Sequence, residues 1–212
     1  MEVATAFVVY ARDTLWVDLA SSLIVFGGGW ATGALLAVIT GLLLGRLRFL
    51  GRIFRPVIEM IRPVSSIAWI PLAIVWFGFG YSGKLFLVAL AVYLVVIVYS
   101  VEGASVIPPT LEKAATMLGM GTWQKMRFLV LPSMLSEVLI GLRVALTAGW
   151  GTVIIAELIA ADSGLGKSLV RAQQGYDTPT VMALMLCFGA VGFALNGLYS
   201  VIMKGAQRWK SV

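Results

Sequence analysis

The 212-residue chain contains no histidine and a single cysteine, Cys187. That composition excludes histidine-based proton transfer, histidine metal sites and an internal disulfide. The side chains able to do chemistry are charges lodged in apolar sequence: Arg62, Arg143 and Glu157, with Glu59 and Glu137 beside them. Ionisable groups inside membrane-length apolar runs are costly and mark ion pairs or a polar path. Glu59 and Arg62 are three residues apart and can pair on one helical face, with an anion contact as the second use for Arg62. Glu137 falls at an interface. The steps from Glu137 to Arg143 and from Arg143 to Glu157 do not match helical neighbours, so their partners must come from other helices or water. Ala161-Asp162-Ser163-Gly164-Leu165-Gly166-Lys167-Ser168 ends like a phosphate-binding loop, but Ala161 stands where the first glycine is needed and no strand precedes it. Nucleotide binding by this chain is therefore rejected. Lys167 and Arg171 can instead line an external mouth, where they face a partner or concentrate anions; a solvated loop is the simpler alternative. No nucleophile–base set is visible, which argues against a membrane-embedded enzyme.

The elements that position these residues follow from composition. Sixty per cent of the residues are apolar and 12% are charged, with a mean hydropathy of +0.96. A soluble domain of this length needs far more polar surface, so a soluble globule, a disordered chain and a secreted disulfide scaffold are excluded. A helix needs about 20 apolar residues to cross a bilayer core of ~30 Å. On that basis five transmembrane helices are expected, near 18–46, 54–79, 84–106, 132–160 and 178–204. Helices are the default because lipid satisfies no backbone polar group, and the short alternating segments of a β-barrel are absent. The expected architecture is all-α and integral to the membrane. It comprises an external or interfacial segment at 1–17, a transmembrane domain at 18–205 and a tail at 206–212.

The net charge of +6 is topological. Ten of the sixteen basic residues fall after the first span, between the third and fourth, and after the fifth: Arg46 to Arg55, Lys113 to Arg127, and Lys204 to Lys210. The positive-inside rule puts these three segments in the cytoplasm and the N-terminus outside. Nucleic-acid binding gains no support. An external N-terminus without a leader fits two expectations equally: a preceding helix in the natural protein, or a short tail carried across with the first span.

Two features of the spans stand out. Gly29, Gly33, Ala37, Gly41 and Gly45 recur every fourth residue, a small-residue stripe suited to close packing within the subunit. Pro56, Pro63 and Pro71 disfavour regular helix in the second span, and a break is expected at Ile61–Ser66. Irregular backbone at that depth must be buried in protein or line a cavity. Transporters place substrate sites at such breaks; a structural kink is the alternative.

The 107–131 connection carries the most information. Leu111, Ala114, Ala115 and Leu118 follow the spacing of a short amphipathic helix, with Thr110 able to cap its start and Gly119 its end. Thr122 can cap a second short segment. Two short helices with a glycine bend on the cytoplasmic face form a docking element, or, more simply, a helix lying on lipid.

This connection resembles the EAA loop of ABC importer permeases. Ala114-Ala115, Gly119, Leu129 and Leu131-Pro132 fall in register with EAA-x3-G-x9-I-x-LP. The departure is Lys113, which stands where the glutamate is usual, with Glu112 one residue earlier. Arg62-Pro63-Val64-Ser65-Ser66-Ile67-Ala68-Trp69-Ile70-Pro71-Leu72, Trp76-Phe77-Gly78-Phe79-Gly80, Gly141-Leu142-Arg143, Trp150, Ala156-Glu157-Leu158-Ile159 and Gly164-Leu165-Gly166 resemble the nitrate/sulfonate/taurine branch. The likeness covers about residues 18–205.

The resemblance implies a permease of a bacterial inner membrane that pairs with a second copy, two cytoplasmic ABC ATPase subunits and a periplasmic or lipid-anchored binding protein. ATP and Mg would belong to the ATPase, and this chain would carry no cofactor or metal of its own. ATPase docking would fall on Glu112, Lys113, Ala114, Ala115, Leu118, Gly119, Gly121, Trp123, Leu131 and Pro132. A solute path would involve Arg62, Ser65, Ser66, Arg143 and Glu157, shaped by Trp69, Trp76 and Trp150. The solute would be small and anionic or zwitterionic, such as taurine, another sulfonate, nitrate or bicarbonate. A stand-alone secondary transporter or channel is the competing class; it would need coupling residues along a pore, and no internal repeat is visible.

Overall fold

A computed structural model describes residues 15–105, 107–160 and 163–207, apart from the side chains of Arg48, Pro109, Ala160 and 204–207. Much of the expected terminal segments, 1–17 and 206–212, lies outside these residues. The described chain is helical, with no strand. Helix α1 spans Leu15–Arg46, α2 Arg48–Ile61, α3 Ile70–Phe77 and α4 Tyr81–Ser105. The short α5 is Pro109–Met117 and α6 is Thr122–Lys125. A π-helical turn over Met126–Val130 joins α6 to α7, Leu131–Ala160. Helices α8, Leu165–Gln174, and α9, Thr178–Gln207, complete the fold.

Four segments are long and apolar enough to cross a membrane: Leu15–Arg46, Tyr81–Ser105, Thr122–Ile159 and Thr178–Met203. The second expected span, near 54–79, is broken where its prolines led one to expect and is not one helix. It is a bent pair, Phe49–Ile61 and Ser66–Phe77, whose axes differ by 96°. The cause is local. Pro63 cannot donate a backbone bond, and Ser65 receives the Ile67 amide on its hydroxyl at 3.4 Å, starting a 3-10 turn over Ser66–Trp69. Pro71 sits in the first turn of α3, where its missing N–H leaves no helical bond unmade. Pro56, by contrast, is accommodated inside α2.

The core is built on α1 and α4. A Cβ added at Gly29 would lie 2.6 Å from Val88 Cβ, and one at Gly45 would lie 2.5 Å from Ala104 Cβ. At Gly33 it would strike the Ala89 carbonyl, and at Gly41 the Ser100 side chain. Ala37 is fully buried in the same row. The stripe therefore packs inside the subunit, against α4. Helix α7 covers the other side of α4, where Gly141 lies against Tyr99 and Gly103 against Met134. Helix α9 is pinned to α7 by Tyr199, whose hydroxyl donates to the Leu139 carbonyl at 2.6 Å. Its outer face exposes Met185, Leu186, Phe193, Leu198 and Val201, as α1 exposes Leu35, Leu36 and Ile39. Such apolar outer faces suit lipid.

The α1–α4 contact can be tested by volume. Gly33→Leu must push the two backbones apart, whereas a Cβ added at Gly27 meets nothing within 4 Å. Thermal unfolding in detergent is expected to show a loss at Gly33 beyond the ~1–3 kcal/mol of ordinary overpacking. Gly27→Leu should leave the transition in place.

Candidate functional site

The 107–131 connection forms a two-armed projection. Helix α5 begins at Pro109 with Pro108 as its cap residue, so Thr110 sits inside the first turn rather than capping it. The helix ends on a Schellman pair: Met120 N–H donates to Ala115 O and Gly119 N–H to Thr116 O, both at 3.0 Å. This closure needs the left-handed backbone of Gly119, at φ 72°. Helix α6 starts after Gly121, whose amide is received by the Gln124 side chain at 2.9 Å, so Thr122 is the first helical residue and not the cap. Lys125 Nζ donates to Thr116 Oγ1 at 2.8 Å and ties the two arms together.

The bend presents apolar side chains to the outside. Met117 is 87% exposed, Leu118 80% and Trp123 73%, while Ala115 is buried. Lys113, Ala114, Gly119, Gly121, Leu131 and Pro132 are exposed around them. Glu112 points back to the transmembrane core and forms an ion pair with Arg46 at the end of α1, 2.9 Å apart. This pair answers the sequence departure at Lys113: the neighbouring carboxylate fastens the projection to the bundle.

The residues expected along a solute path separate into two groups. Arg62 and Ser65 are exposed and Ser66 is half-buried at the α2–α3 break. Ser66 Oγ lies 3.4 Å from Thr152 Oγ1 of α7. Trp69 packs beside a small cluster of Ile70, Ala73, Leu87 and Ala156. Trp76 is exposed and meets Phe86 edge-on at 6.0 Å. Arg62 makes no ion pair with Glu59; both side chains instead border a common cavity. Arg143 is exposed on α7 and forms no ion pair among the described residues. Trp150 and Glu157 are enclosed. Trp150 is 6% exposed, donates its indole N–H to Phe188 O at 3.1 Å and packs between Phe26 and Phe188.

Glu157 is 1% exposed and explains the phosphate-loop-like sequence. Gly166 N–H donates to Glu157 Oε2 at 2.9 Å, and Leu165 N–H donates to Ser22 Oγ at 3.1 Å. The Ser22 hydroxyl in turn lies 2.8 and 2.9 Å from the two carboxylate oxygens of Glu157. Gly164 N–H reaches Asp18 Oδ1 at 3.4 Å, and Ser168 donates to the same carboxylate. A helix N-terminus with free amides attracts an anion. Here the anions are the protein's own carboxylates, from α1 and α7. Gly164 adopts φ 115°, and a Cβ there would collide with the Glu157 carboxylate. Lys84, also buried, donates to the Ser163 carbonyl at 3.3 Å and sets a positive charge beside the cluster. Sequence reasoning missed Asp18, Ser22 and Lys84. Their only signal was polarity near span ends, which is ordinary at an interface.

An all-helical bundle with a broken span and an apolar, glycine-capped bend projecting between two spans defines a membrane transport subunit. The chain belongs to the family of binding-protein-dependent transport system inner membrane components, whose family pattern matches residues 33–211. It is 35% identical over 183 residues to the taurine transport system permease protein TauC of Escherichia coli K12, covering 86% of this chain and 66% of that protein. It is 33% identical to a probable ABC transporter permease of Brucella abortus strain 2308, covering 91% of this chain and 77% of the relative. The chain thus spans about two thirds to three quarters of the length of these relatives. A chain of the MetNI methionine ABC transporter in an inward-facing conformation shares the fold, with a TM-score of 0.70 at 17% identity over 90% of this chain and 93% of that one. The expected all-α membrane architecture and the inner-membrane location stand with the family.

The Glu157 seat has a direct test. Glu157→Leu leaves the Gly166 amide buried without its acceptor, at a cost of about 1–3 kcal/mol. Hydrogen exchange at Leu165 and Gly166 is expected to accelerate in this variant. Unchanged protection there would show that Glu157 does not hold α8.

Proposed function

We propose that this chain is the membrane-spanning permease subunit of an ATP-driven, binding-protein-dependent importer for a small anionic or zwitterionic solute. The observation that carries this is the exposed cluster Met117, Leu118 and Trp123 on a bend whose geometry is held by Gly119. Exposed large apolar groups on a rigid projection at the basic, cytoplasmic end of a membrane protein are the anchor type found at protein interfaces. The partner is an ABC ATPase subunit, which holds ATP and Mg. Two such subunits act on a pair of permease copies, and a periplasmic or lipid-anchored binding protein delivers the solute.

The mechanism follows from how the projection is fixed. Helix α5 begins four residues after α4 ends, α6 runs through the π turn into α7, and Glu112 grips the end of α1. Movement of the docked bend is thereby transmitted to α1, α4 and α7 together. Alternating access requires two packings of these helices that the ATPase biases differently. The break at Arg62–Ser65 supplies the irregular, polar backbone that a solute path needs. The solute class draws on TauC, named for taurine transport.

Leu118→Arg puts a charge at the centre of the docking cluster, and Gly119→Pro is incompatible with φ 72°. Each is expected to weaken ATPase association by about 2 kcal/mol or more, roughly thirtyfold, with membrane insertion retained. Co-purification and ATP-dependent uptake in proteoliposomes read the outcome. Normal assembly of both variants, or equal transport without the ATPase, would refute the proposal.

A further inference from the structure

A cavity of about 300 Å³ lies between α2 and the last turns of α4. Its polar lining is Arg55, Glu59 and Arg62 from α2, with Glu102 and Ser105 from α4. Arg55 Nη2 donates to Ser105 Oγ at 2.8 Å, which fixes the two helices side by side at the basic end. Arg62 follows Arg55 by seven residues, roughly 10 Å of helical rise, and borders the same cavity as Ile97, deeper along α4. The cleft therefore runs inward from the coupling-loop end to the α2–α3 break. A second cavity, lined by Arg52 among others, shares Arg55, Glu59 and Ser105 with it.

Two guanidinium groups and two carboxylates face this cleft, yet no ion pair joins them among the described residues. Four charges carried inward from a membrane interface need compensation from water or a ligand. The signs are balanced, which decides the ligand class. A simple anion entering the cleft meets Glu59 and Glu102 as well as the arginines. A simple cation meets the reverse. A small molecule bearing both signs satisfies both kinds of charge.

We infer that this cleft is a solute subsite for a small zwitterion, an oxyacid group joined by a short chain to an ammonium. The inference rests on the importer function proposed above and narrows its solute class. Arg62, with Arg55, takes the oxyacid through the planar fork that suits such groups. Glu59 and Glu102 take the ammonium. The site lies on the cytoplasmic side, so it holds the solute on its way out toward the coupling loop. A zwitterionic lipid headgroup presents the same chemistry, and the experiment separates the two sources.

The permease–ATPase complex in phosphatidylglycerol nanodiscs is titrated calorimetrically with taurine, ethanesulfonate and ethylamine. Taurine is expected to bind at least tenfold more tightly than either single-charge probe. Arg62→Gln and Glu59→Gln should each weaken taurine binding at least tenfold, whereas only Arg62→Gln should weaken ethanesulfonate. Arg62→Lys retains the charge without the fork and serves as the second variant. Retained ATPase association confirms folding, as expected for exposed side chains. The inference is overturned by failure of taurine to saturate at millimolar concentration, by equal affinity for ethanesulfonate, or by wild-type affinity in the variants. Competition by added phosphatidylethanolamine, with the same dependence on Arg62 and Glu59, would give the cleft to a headgroup and overturn the solute assignment. ATP-dependent uptake indifferent to these variants would sink the subsite alone. Charge-dependent taurine binding without ATPase-dependent uptake would sink the importer reading alone.

Discussion

The backbone-to-backbone approach of α1 and α4 is the contact on which the remaining structure depends. In lipid the hydrophobic effect does not drive helices together, so van der Waals packing must. Gly29, Gly33, Ala37, Gly41 and Gly45 let α1 lie directly on α4 along more than four turns. With α4 fixed, α7 covers its other side, and both ends of α4 acquire a defined place. One end begins the α5–α6 projection; the other holds Lys84 against the Asp18–Glu157 cluster.

The two ends use charge differently. At the end holding α8, carboxylates are consumed internally: Glu157 and Asp18 occupy the amides of the Gly164–Ser168 turn and anchor α8. At the basic end, Glu112 meets Arg46 in a partly exposed pair, while Arg55, Glu59, Arg62 and Glu102 share a cleft without pairing. An exposed pair contributes little stability. Its value is positional, since it joins the docking bend to the end of α1. The unpaired cleft lies next to a break in helical structure, where polar backbone is available.

Much of this was legible from the chain alone. The projection is written in local signals: helical spacing over Leu111–Leu118 and a glycine at position 119, where the backbone is left-handed. The helix caps were misplaced by one or two residues because proline at Pro109 and the glutamine side chain of Gln124 act where threonines were expected to. The broken span was signalled by its prolines, but its 96° turn was not. Proline removes a bond; neighbouring helices decide the angle.

By itself, the sequence determined what is one-dimensional: which stretches are apolar enough to leave water, which end is basic, where helices must stop and which loop projects. These follow from hydropathy, charge and backbone propensity, which act over a few residues. Tertiary structure alone decided pairing. It sent Glu112 to Arg46, kept Glu59 from Arg62, enclosed Trp150, and matched Glu157 to a glycine turn that imitates a phosphate loop. Ser22 and Glu157 lie 135 residues apart and meet only because α1 and α7 converge on one end of α8. A partner at such separation is set by helix packing, for which no local periodicity carries a signal.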